Sequence, residues 1–394
     1  MKVFLLLLSI ALWSFIALGQ GVNSNDESVL ENSDIFQSKT SEFAISLFRD
    51  IAQSYENQSF IFSPLDAQIS LSMMGNLFMP DSSKSISKIF GCADISDLNS
   101  RNGKIISLLT DSAKSKYVIS TKIANSIWFN TGVRHNKTGA IRRYYNAEIH
   151  HGTLSSPAEI KSINSWINKS TDGGINAPNF TVPTGTALII NSLLYFNQQW
   201  DWDYHFSRSY NGIFSSPKGP NDALFMDDEI EAKYFKNEIF ESAILKLTRY
   251  HMICILPNNK DLNALSQKIN ADDINTIIEN SDKRDIILTF PVFNLNSKLS
   301  LLPIFAKHGI NPSKALASNI AITPQSIQLD QLSTIRVNQI RVAVGSVTTL
   351  CCVVSAPIIE DPIELKFNRP FMFFIIDPYT KTLLFAGQYT GPEK

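Results

Sequence analysis

The chain has 394 residues, a net charge of −1 and an isoelectric point near 6.6. Its 44% hydrophobic and 18% charged residues are the composition of a globular protein, not of a disordered chain. Lysines and arginines form no long run, so no basic patch is available for nucleic acid or for an anionic membrane. We therefore expect neither as a partner.

Residues 1–19 have the three parts of a secretory signal peptide. Lys2 provides a positive charge, an apolar block follows, and Ala17 and Gly19 are small residues that a signal peptidase accepts. We expect cleavage after Gly19, a secreted extracellular protein and a single domain over residues 20–394. An uncleaved membrane anchor is the alternative, although the apolar block is slightly short for a membrane span.

Cysteines and glycosylation motifs narrow the class further. The cysteines are too few for a disulfide scaffold, and two are adjacent, where a disulfide would be strained: Cys92, Cys254, Cys351 and Cys352. Four asparagines begin an N-x-[ST] sequon and predict surface glycans: Asn57, Asn136, Asn168 and Asn179. The secreted protein is thus expected to be a glycoprotein.

Helical periodicity dominates the first half of the chain. The segment SEFAISLFRDIAQSY, residues 41–55, places apolar side chains on one stripe: Phe43, Leu47 and Ile51. PLDAQISLSMMGNLF, residues 64–78, repeats the pattern. IKSINSWINKSTDGG, residues 160–174, predicts an amphipathic helix that two glycines end. We therefore expect helices over these three segments.

Short β-branched or aromatic runs dominate the second half. They are bounded by turn residues and predict strands: TALIINSLLYFN, HMICILPN, DIILTFPVFNL, IELKFN and PFMFFIID. The last run is followed by PYTKT and then by LLFAGQY, which predicts a hairpin. Helices first and strands later predict an α+β fold whose sheets are not built from regular βαβ units.

The sequence lacks the common catalytic motifs. It contains no G-x-S-x-G, H-E-x-x-H, P-loop, G-x-G-x-x-G or C-x-x-C pattern, so we expect neither an enzyme nor a cofactor. The adjacent pair His150 and His151 is a candidate for a metal site. Consecutive side chains diverge, however, and no cysteine or acidic cluster accompanies the pair, so a solvated surface is favoured.

Five segments in a fixed order carry a family resemblance. They are FIFSPLDAQISLSMM, INSWINKSTDGGI, LIINSLLYFNQQWDWDYHF with its Trp200, LTFPVFNLNSKLSLLPIFAKHGIN, and the closing FNRPFMFFIIDPYTKTLLFAGQYTGP. Together these segments resemble the serpins, a family of large protease inhibitors. The resemblance extends from about Ser41 to the end of the chain.

The resemblance implies three β-sheets with eight to nine helices, and an exposed reactive-centre loop before a strand that begins near Ile363. Here the loop is VAVGSVTTLCCVVSAPII, residues 342–359, which has no charged side chain. In inhibitory serpins a serine or cysteine protease cleaves the loop, and the freed segment inserts into the largest sheet and stalls the acyl-enzyme. The protein would thus be a monomeric suicide substrate and not an enzyme.

The loop begins at a hinge, which the family pattern places at Gln339, Ile340, Arg341 and Val342. Strand alternation then turns one uncharged set toward the interior of the expanded sheet: Val342, Val344, Ser346, Thr348, Leu350 and Cys352. Insertion is sterically allowed on this face. However, Ile340 replaces an acid and Arg341 replaces the hinge glycine, at a cost of about 1–2 kcal/mol that could slow insertion.

The reactive bond is expected within VVSAPII, residues 353–359, with three candidate residues: Val354, Ser355 and Ala356. No Lys or Arg is available there for a trypsin-like pocket, so an elastase-like enzyme with a small apolar pocket is favoured. Cys351 and Cys352 have two interpretations. They are either redox-sensitive thiols that capture a partner thiol or small apolar residues of incidental reactivity.

Four polar residues are expected below the main sheet, where its strands must separate. Ser63 and Asn191 match the family's buried polar cluster, whereas Asp66 stands where a serine is usual and Gln331 about where a histidine is usual. A buried Asp66 would need hydrogen-bond partners or would stay protonated. A partly exposed Asp66 is the alternative.

Two functional hypotheses follow. The first is a secreted protease inhibitor that acts by loop insertion. The second, motivated by Ile340 and Arg341, is a serpin-fold binding or signalling protein that has lost inhibition. Short members that depart from the family pattern in this way resemble serpins of insect secretions, such as seminal or haemolymph fluid.

Overall fold

The computed structural model describes residues 24–77, 80–110, 120–133, 138–171, 173, 181–201, 203–206, 208–310, 327–339 and 361–392. Nine helices lie within them: α1 (Ser24–Ser54), α2 (Pro64–Leu77), α3 (Pro80–Ile89), α4 (Ile95–Thr110), α5 (Gly139–Tyr145), α6 (Pro157–Ser170), α7 (Leu262–Lys268), α8 (Ala271–Asn280) and α9 (Leu301–Lys307). Together with three hydrogen-bonded sheets, they confirm the predicted α+β architecture.

The strands in the same residues are β1 (Phe60–Phe62), β2 (Ser120–Asn130), β3 (Glu148–Gly152), β4 (Leu188–Asn197), β5 (Arg208–Ser216), β6 (Gly219–Lys236), β7 (Phe240–Lys246), β8 (His251–Pro257), β9 (Asp282–Pro291), β10 (Phe293–Ser300), β11 (Ile327–Gln328), β12 (Asp330–Val337), β13 (Ile363–Lys366), β14 (Phe371–Ile376) and β15 (Leu383–Tyr389). The strands predicted from β-branched and aromatic runs correspond to β4, β8, β13 and β14. The run DIILTFPVFNL, predicted as one strand, is divided at Val292 between β9 and β10, which belong to different sheets.

The largest sheet has nine strands, in the order β1-β15-β14-β8-β7-β6-β9-β13 with β5 paired to β6. The predicted hairpin is confirmed, since β14 pairs antiparallel with β15 and every residue of both strands is buried. Gly387 of β15 allows β1 to approach closely. A Cβ there would collide with the carbonyl oxygen of Phe60 and lie 2.7 Å from the ring of Phe373.

Two smaller sheets lie side by side. One has four strands in the order β11-β4-β2-β3, and the other consists of β10 and β12. Only Leu329 separates β11 from β12, so the chain passes directly from one sheet into the other. We refer to these six strands together as the main sheet; the sheet that the resemblance expects to accept the loop is therefore not the largest sheet of the molecule.

Helices cover both faces of the main sheet. On one face, α2 packs against β4 within the large core, which includes three β4 residues: Leu188, Ile190 and Leu194. On the other face, a second apolar cluster joins α6 to the sheet: Trp128, Trp166, Ile189 and Leu193. Because successive strand residues point to opposite faces, even-numbered residues of β4 face α2 and odd-numbered residues face α6.

The three helices predicted in the first half are confirmed as parts of α1, α2 and α6. α2 differs from the predicted one-sided pattern, because every residue of it except Asn76 is buried. Ser72 can be buried because its hydroxyl bonds within the helix and donates to the carbonyl of Gln68 at 2.7 Å. In the part of the chain that the structure describes, no helix combines the length and apolarity needed to span a membrane.

Candidate functional site

The main sheet has an opening between β4 and β12. One edge of β4 pairs with β2 along its whole length, whereas the other pairs with β11 only at Leu188 and Ile189. Beyond this point no strand of the described residues pairs with that edge. β12 lies alongside, and its far edge is paired throughout with β10. Two strand edges that have no strand partner among the described residues therefore face one another across the opening.

The direction of the chain matters for what the opening can accept. β4 and β12 run parallel, because both continue in the direction set by the parallel pair of β11 and β4. A chain that leaves the end of β12 and turns back would run antiparallel to both edges. Antiparallel strands can be joined by a short turn, so the segment after β12 is suitably placed to fill the opening.

Ser63 and Gln331 connect the start of α2 to β12. The Ser63 backbone N–H donates to Gln331 Oε1 at 2.9 Å, and Gln331 Nε2 donates to the Ser63 carbonyl at 2.8 Å. Both residues are buried. Ser63 also caps α2, since its hydroxyl accepts the backbone N–H of Asp66 at 3.1 Å. This side of the opening is thus tied to the first turn of α2.

Asp66 connects the same turn of α2 to β4. Its Oδ1 accepts the Ser192 hydroxyl at 3.0 Å, and its Oδ2 accepts the backbone N–H of Leu194 at 2.8 Å. The residue is only 3% exposed, which excludes the partly exposed alternative. The first turn of α2 therefore holds β12 through Ser63 and β4 through Asp66, like a clamp below the opening.

Burial determines the ionisation of this carboxyl. Loss of hydration raises the pKa of Asp66 from 3.8 to about 7, although the hydrogen bonds from Ser192 and Leu194 oppose the increase. Near neutral pH the clamp is therefore a mixture of protonated and ionised forms.

Asn191 does not join this cluster. As an odd-numbered residue of β4 it faces α6, and its Nδ2 donates to the hydroxyl of Ser126 on β2 at 3.2 Å. The Trp128 indole donates to the same hydroxyl at 2.8 Å. The structure thus brings together three of the four residues expected below the sheet and places Asn191 on the opposite face.

Trp200 holds the chain at the point where β12 ends. Its indole N–H donates to the carbonyl of Asn338 at 2.9 Å, and its ring packs edge-on against Phe206 with centroids 5.3 Å apart. An isolated bridge to Leu247 ties this region to the rest of the fold. Gln339, the first predicted hinge residue, follows directly and is half-buried. The chain therefore leaves β12 from a fixed point.

Several predicted site residues lie outside the described residues. They are the hinge residues Ile340, Arg341 and Val342, the rest of the insertion face (Val344, Ser346, Thr348, Leu350 and Cys352), the reactive-bond candidates Val354, Ser355 and Ala356, and two sequons, Asn136 and Asn179. The other two sequon asparagines, Asn57 and Asn168, are exposed. The predicted signal peptide also lies outside the described residues.

Three contributors to the site were missed by sequence reasoning. Ser192 and Leu194 hold the Asp66 carboxyl, and Leu194 does so through its backbone, which leaves no trace in the sequence. Trp200 was noted only as the end of a strand. The alternation of β4 places Ser192 on the α2 face, and that is the signal that would have identified it.

The polar groups described at this opening are a carboxyl, two hydroxyls and an amide, and none of the hydrogen bonds of these hydroxyls is made to a histidine or a thiol. No group of three or more described His, Cys, Asp or Glu side chains is arranged to hold a metal ion. His150 instead stacks on Trp128 with ring centroids 3.8 Å apart, and its Nε2 lies 3.2 Å from Glu148.

A model of the serpin family, described as serine protease inhibitors, matches residues 38–392, and the chain belongs to this family. Serine protease inhibitor 88Ea of Drosophila melanogaster is 24% identical and covers 89% of this chain and 89% of its own length. Leukocyte elastase inhibitor of Xenopus tropicalis is 24% identical, with 90% of this chain and 99% of its own length covered. Human thyroxine-binding globulin has the same fold, with a TM-score of 0.80 at 15% identity over 92% of this chain and 100% of its own.

Family membership and structural similarity support different statements about this chain. Serpins are generally protease inhibitors rather than catalysts, and the likeness to the solved structure concerns the fold alone. One of the relatives comes from an insect and another from a frog, so an insect source for this chain stays a prediction.

Proposed function

We propose that the protein is a secreted, monomeric inhibitor of an extracellular serine protease and acts as a suicide substrate. The protease would cleave the loop after β12, and the freed segment would insert between β4 and β12. The observation that carries this proposal is the opening, whose two edges lack strand partners among the described residues. β12 leads directly into the segment predicted to be the loop.

Backbone hydrogen bonds would drive insertion. β12 presents eight residues to the opening, and β4 presents residues 190–197. In an antiparallel ladder alternate residues direct both N–H and C=O to one neighbour, so each edge offers about eight bonding groups. At about 1 kcal/mol net for each hydrogen bond, filling both edges gives on the order of 10 kcal/mol before the cost of ordering the loop.

The loop composition fits such a strand. The side chains expected to face α2 are uncharged, from Val342 to Cys352, and the segment is rich in β-branched residues. A charge on that face would enter the apolar core beside β4 at a cost of ~2 kcal/mol or more. The hinge residue Arg341 opposes insertion kinetically, because it stands where a glycine would turn more easily.

An elastase-type protease is the proposed target class. The segment VVSAPII offers only small or apolar residues to a protease pocket. One relative is named leukocyte elastase inhibitor, which supports the same class. We therefore propose cleavage next to Val354, Ser355 or Ala356.

Secretion and glycosylation complete the proposal. The signal-like residues 1–19 support export, and the exposed side chains of Asn57 and Asn168 support glycan attachment after export. Mass spectrometry of protein from a eukaryotic secretion host tests both points. A mature amino terminus at Gln20 and glycan masses at these asparagines are expected.

The alternative function is a serpin-fold binding or signalling protein. Ile340 and Arg341 favour it, because they alter the hinge at which insertion would start. In that case the protease would cut the loop as an ordinary substrate and leave no trapped acyl-enzyme.

One experiment separates the two. The protein is incubated with an elastase-type protease and analysed on a denaturing gel, and the cleaved protein is then melted beside the intact protein. An inhibitor gives a denaturant-stable covalent complex and a cleaved form with a much higher Tm. Complete cleavage without complex, with an unchanged Tm, would refute the inhibitor.

A matched pair of variants tests the insertion face. Val344→Arg places a charge on the face expected to enter the core, and Ala343→Arg places the same charge on the opposite face near the end of β4, away from the α6 cluster around Ile189 and Leu193. We expect the first variant to lose the complex and the second to keep it. Equal behaviour of the two would contradict the assigned alternation.

A further inference from the structure

Hydrogen bonds of the clamp must break before a strand can enter the opening between β4 and β12. Ser63 holds β12 and Asp66 holds β4, so the opening cannot widen with both attachments intact. The two attachments differ in kind. The side chain of Gln331 on β12 bonds to the backbone of Ser63, the residue before α2. The side chain of Asp66 on α2 bonds to the backbone of the β4 edge itself.

The N–H of Leu194 belongs to the edge that an inserted strand would use. β2 covers the other edge of β4 over its whole length, and the Leu194 N–H donates instead to Asp66 Oδ2. In a sheet, each N–H on an edge bonds to the next strand. An inserted strand therefore competes with Asp66 for this donor.

We propose that Asp66 is a latch on the main sheet: its carboxyl occupies the free edge of β4, and loop insertion requires its displacement. The inference rests on the proposed function, because a protein that never inserts its loop has no use for a latch. The serine that is usual at this position has a shorter side chain and no charge, so it would not offer this N–H a charged acceptor.

No buried charge compensates the carboxylate. The elements packed against α2 are α1, α3, α4, α5, β4 and β15. The charged side chains on these elements are exposed or half-buried in the described residues: Lys39, Glu42, Arg49, Asp50, Asp81, Lys84, Lys88, Asp97, Arg101, Lys104, Arg142 and Arg143. The same holds for Asp330 and Arg336 on β12. The tyrosines of α5, β4 and β15 are Tyr144, Tyr145, Tyr195 and Tyr389. None of these groups is among the causes that set the pKa of Asp66.

The latch should be tighter when it is ionised. An ionised carboxylate accepts charge-assisted hydrogen bonds, and opening would leave a buried charge without them. The protonated carboxyl makes weaker, neutral bonds and is displaced more easily. Since the pKa of Asp66 is about 7, insertion should slow as the pH rises through neutrality.

Peptide annealing measures this step without a protease. The probe is VAVGSVTTL, the chain's own residues 342–350, acetylated and amidated so that nothing in it titrates. Intact protein is incubated with it between pH 5.5 and 8.5. Incorporation is followed as a band shift on a native gel run at one pH. About a tenth of the protein is still protonated at pH 8, so loss of a hydrogen bond to a charged acceptor predicts a rate about five- to tenfold lower at pH 8 than at pH 6.

Two variants identify the group responsible. Asp66→Asn keeps an acceptor for the Leu194 N–H but carries no charge, so we expect its rate to be independent of pH. Ser192→Ala removes a hydrogen bond that lowers the pKa of Asp66, so the midpoint of the pH profile should move upward. Asp97→Asn makes the same chemical change on α4 and should retain the wild-type profile.

The outcomes separate the latch from the function on which it rests. A wild-type rate that is equal at pH 6 and pH 8, or a pH profile that Asp66→Asn leaves unchanged, overturns the latch while insertion stands. Failure of the peptide to incorporate at any pH, together with an unchanged Tm after loop cleavage, overturns the proposed function itself. If Asp66→Asn does not fold, the wild-type and Ser192→Ala profiles still decide.

Discussion

Replacement of Asp66 by asparagine should make the stability of the protein less dependent on pH. The unfolded chain releases the Asp66 proton near its ordinary pKa of 3.8, whereas the native state retains it up to about pH 7. The native state therefore binds more protons than the unfolded state between these values. Because the folded pKa is raised, the free energy of unfolding falls as the pH rises across this window and is constant above it.

The magnitude follows from the two pKa values. The separation is about three units, and each unit corresponds to 1.36 kcal/mol, so the whole window is worth about 4 kcal/mol. Between pH 4.5 and pH 7.5 the linkage relation gives about 3 kcal/mol. The full burial of the carboxyl means that solvent screening does not reduce this figure greatly.

Urea unfolding of the wild type and of Asp66→Asn at both pH values measures the effect. Other carboxylates titrate in both proteins, so the quantity of interest is the difference between the two. We expect the variant to gain about 3 kcal/mol relative to the wild type on going from pH 4.5 to pH 7.5. Asp97→Asn serves as the control for the chemical change alone. A difference that stays constant within about 0.5 kcal/mol would mean that Asp66 is not a buried, uncompensated acid.

Three further predictions concern the clamp, the core and the thiols. Gln331→Met removes the side chain that bonds to the buried backbone N–H and C=O of Ser63, and it should lower the free energy of unfolding by about 2–4 kcal/mol. The control Leu332→Met, on the other face of β12, should lower it by less than about 1.5 kcal/mol. Gly387→Ala should lower the free energy of unfolding by about 1–3 kcal/mol or more, because its Cβ would collide with the backbone of β1. The control Gly139→Ala, where a Cβ meets nothing within 4 Å, should be neutral or slightly stabilising. Equal melting temperatures of the two variants would contradict the assigned packing. Burial raises the pKa of the Cys92 thiol to about 12 and raises that of Cys254 well above its usual value, so a thiol reagent at pH 8 should label neither until the protein is unfolded. Cys351 and Cys352 should label in the folded protein if they lie in the exposed loop, and peptide mapping of the labelled sites checks both statements.

The helices and strands with strong local patterns could be predicted from the sequence. The hairpin of β14 and β15 is one example, because two apolar runs flank a short polar turn and nothing distant is needed to recognise it. α2 was predicted as a helix but not as one buried all round. Its short serine and alanine side chains carry little amphipathic signal, and the elements that cover it come from distant parts of the chain.

For the clamp, too, the sequence identifies some residues, whereas their contacts depend on the folded chain. Ser63, Asp66 and Gln331 could be named from the family pattern, yet residues 63 and 331 meet only because β12 returns to the start of α2. Asn191 could equally be named, and the alternation of β4 turns it away to Ser126. The Leu194 N–H could not be named at all, since every residue except proline has such a group and only its surroundings make it a ligand of Asp66.

The class of fold, the uncharged segment after β12 and the acid where the family has a serine can all be identified in the unfolded sequence. Those features depend on composition and short-range order, which can be read directly along the chain. The burial of this acid, its contact with a strand edge and the lack of a described strand beside that edge become visible in the folded protein alone. Burial and competition for a hydrogen bond depend on atoms from distant parts of the chain, and these come together only when the chain is folded.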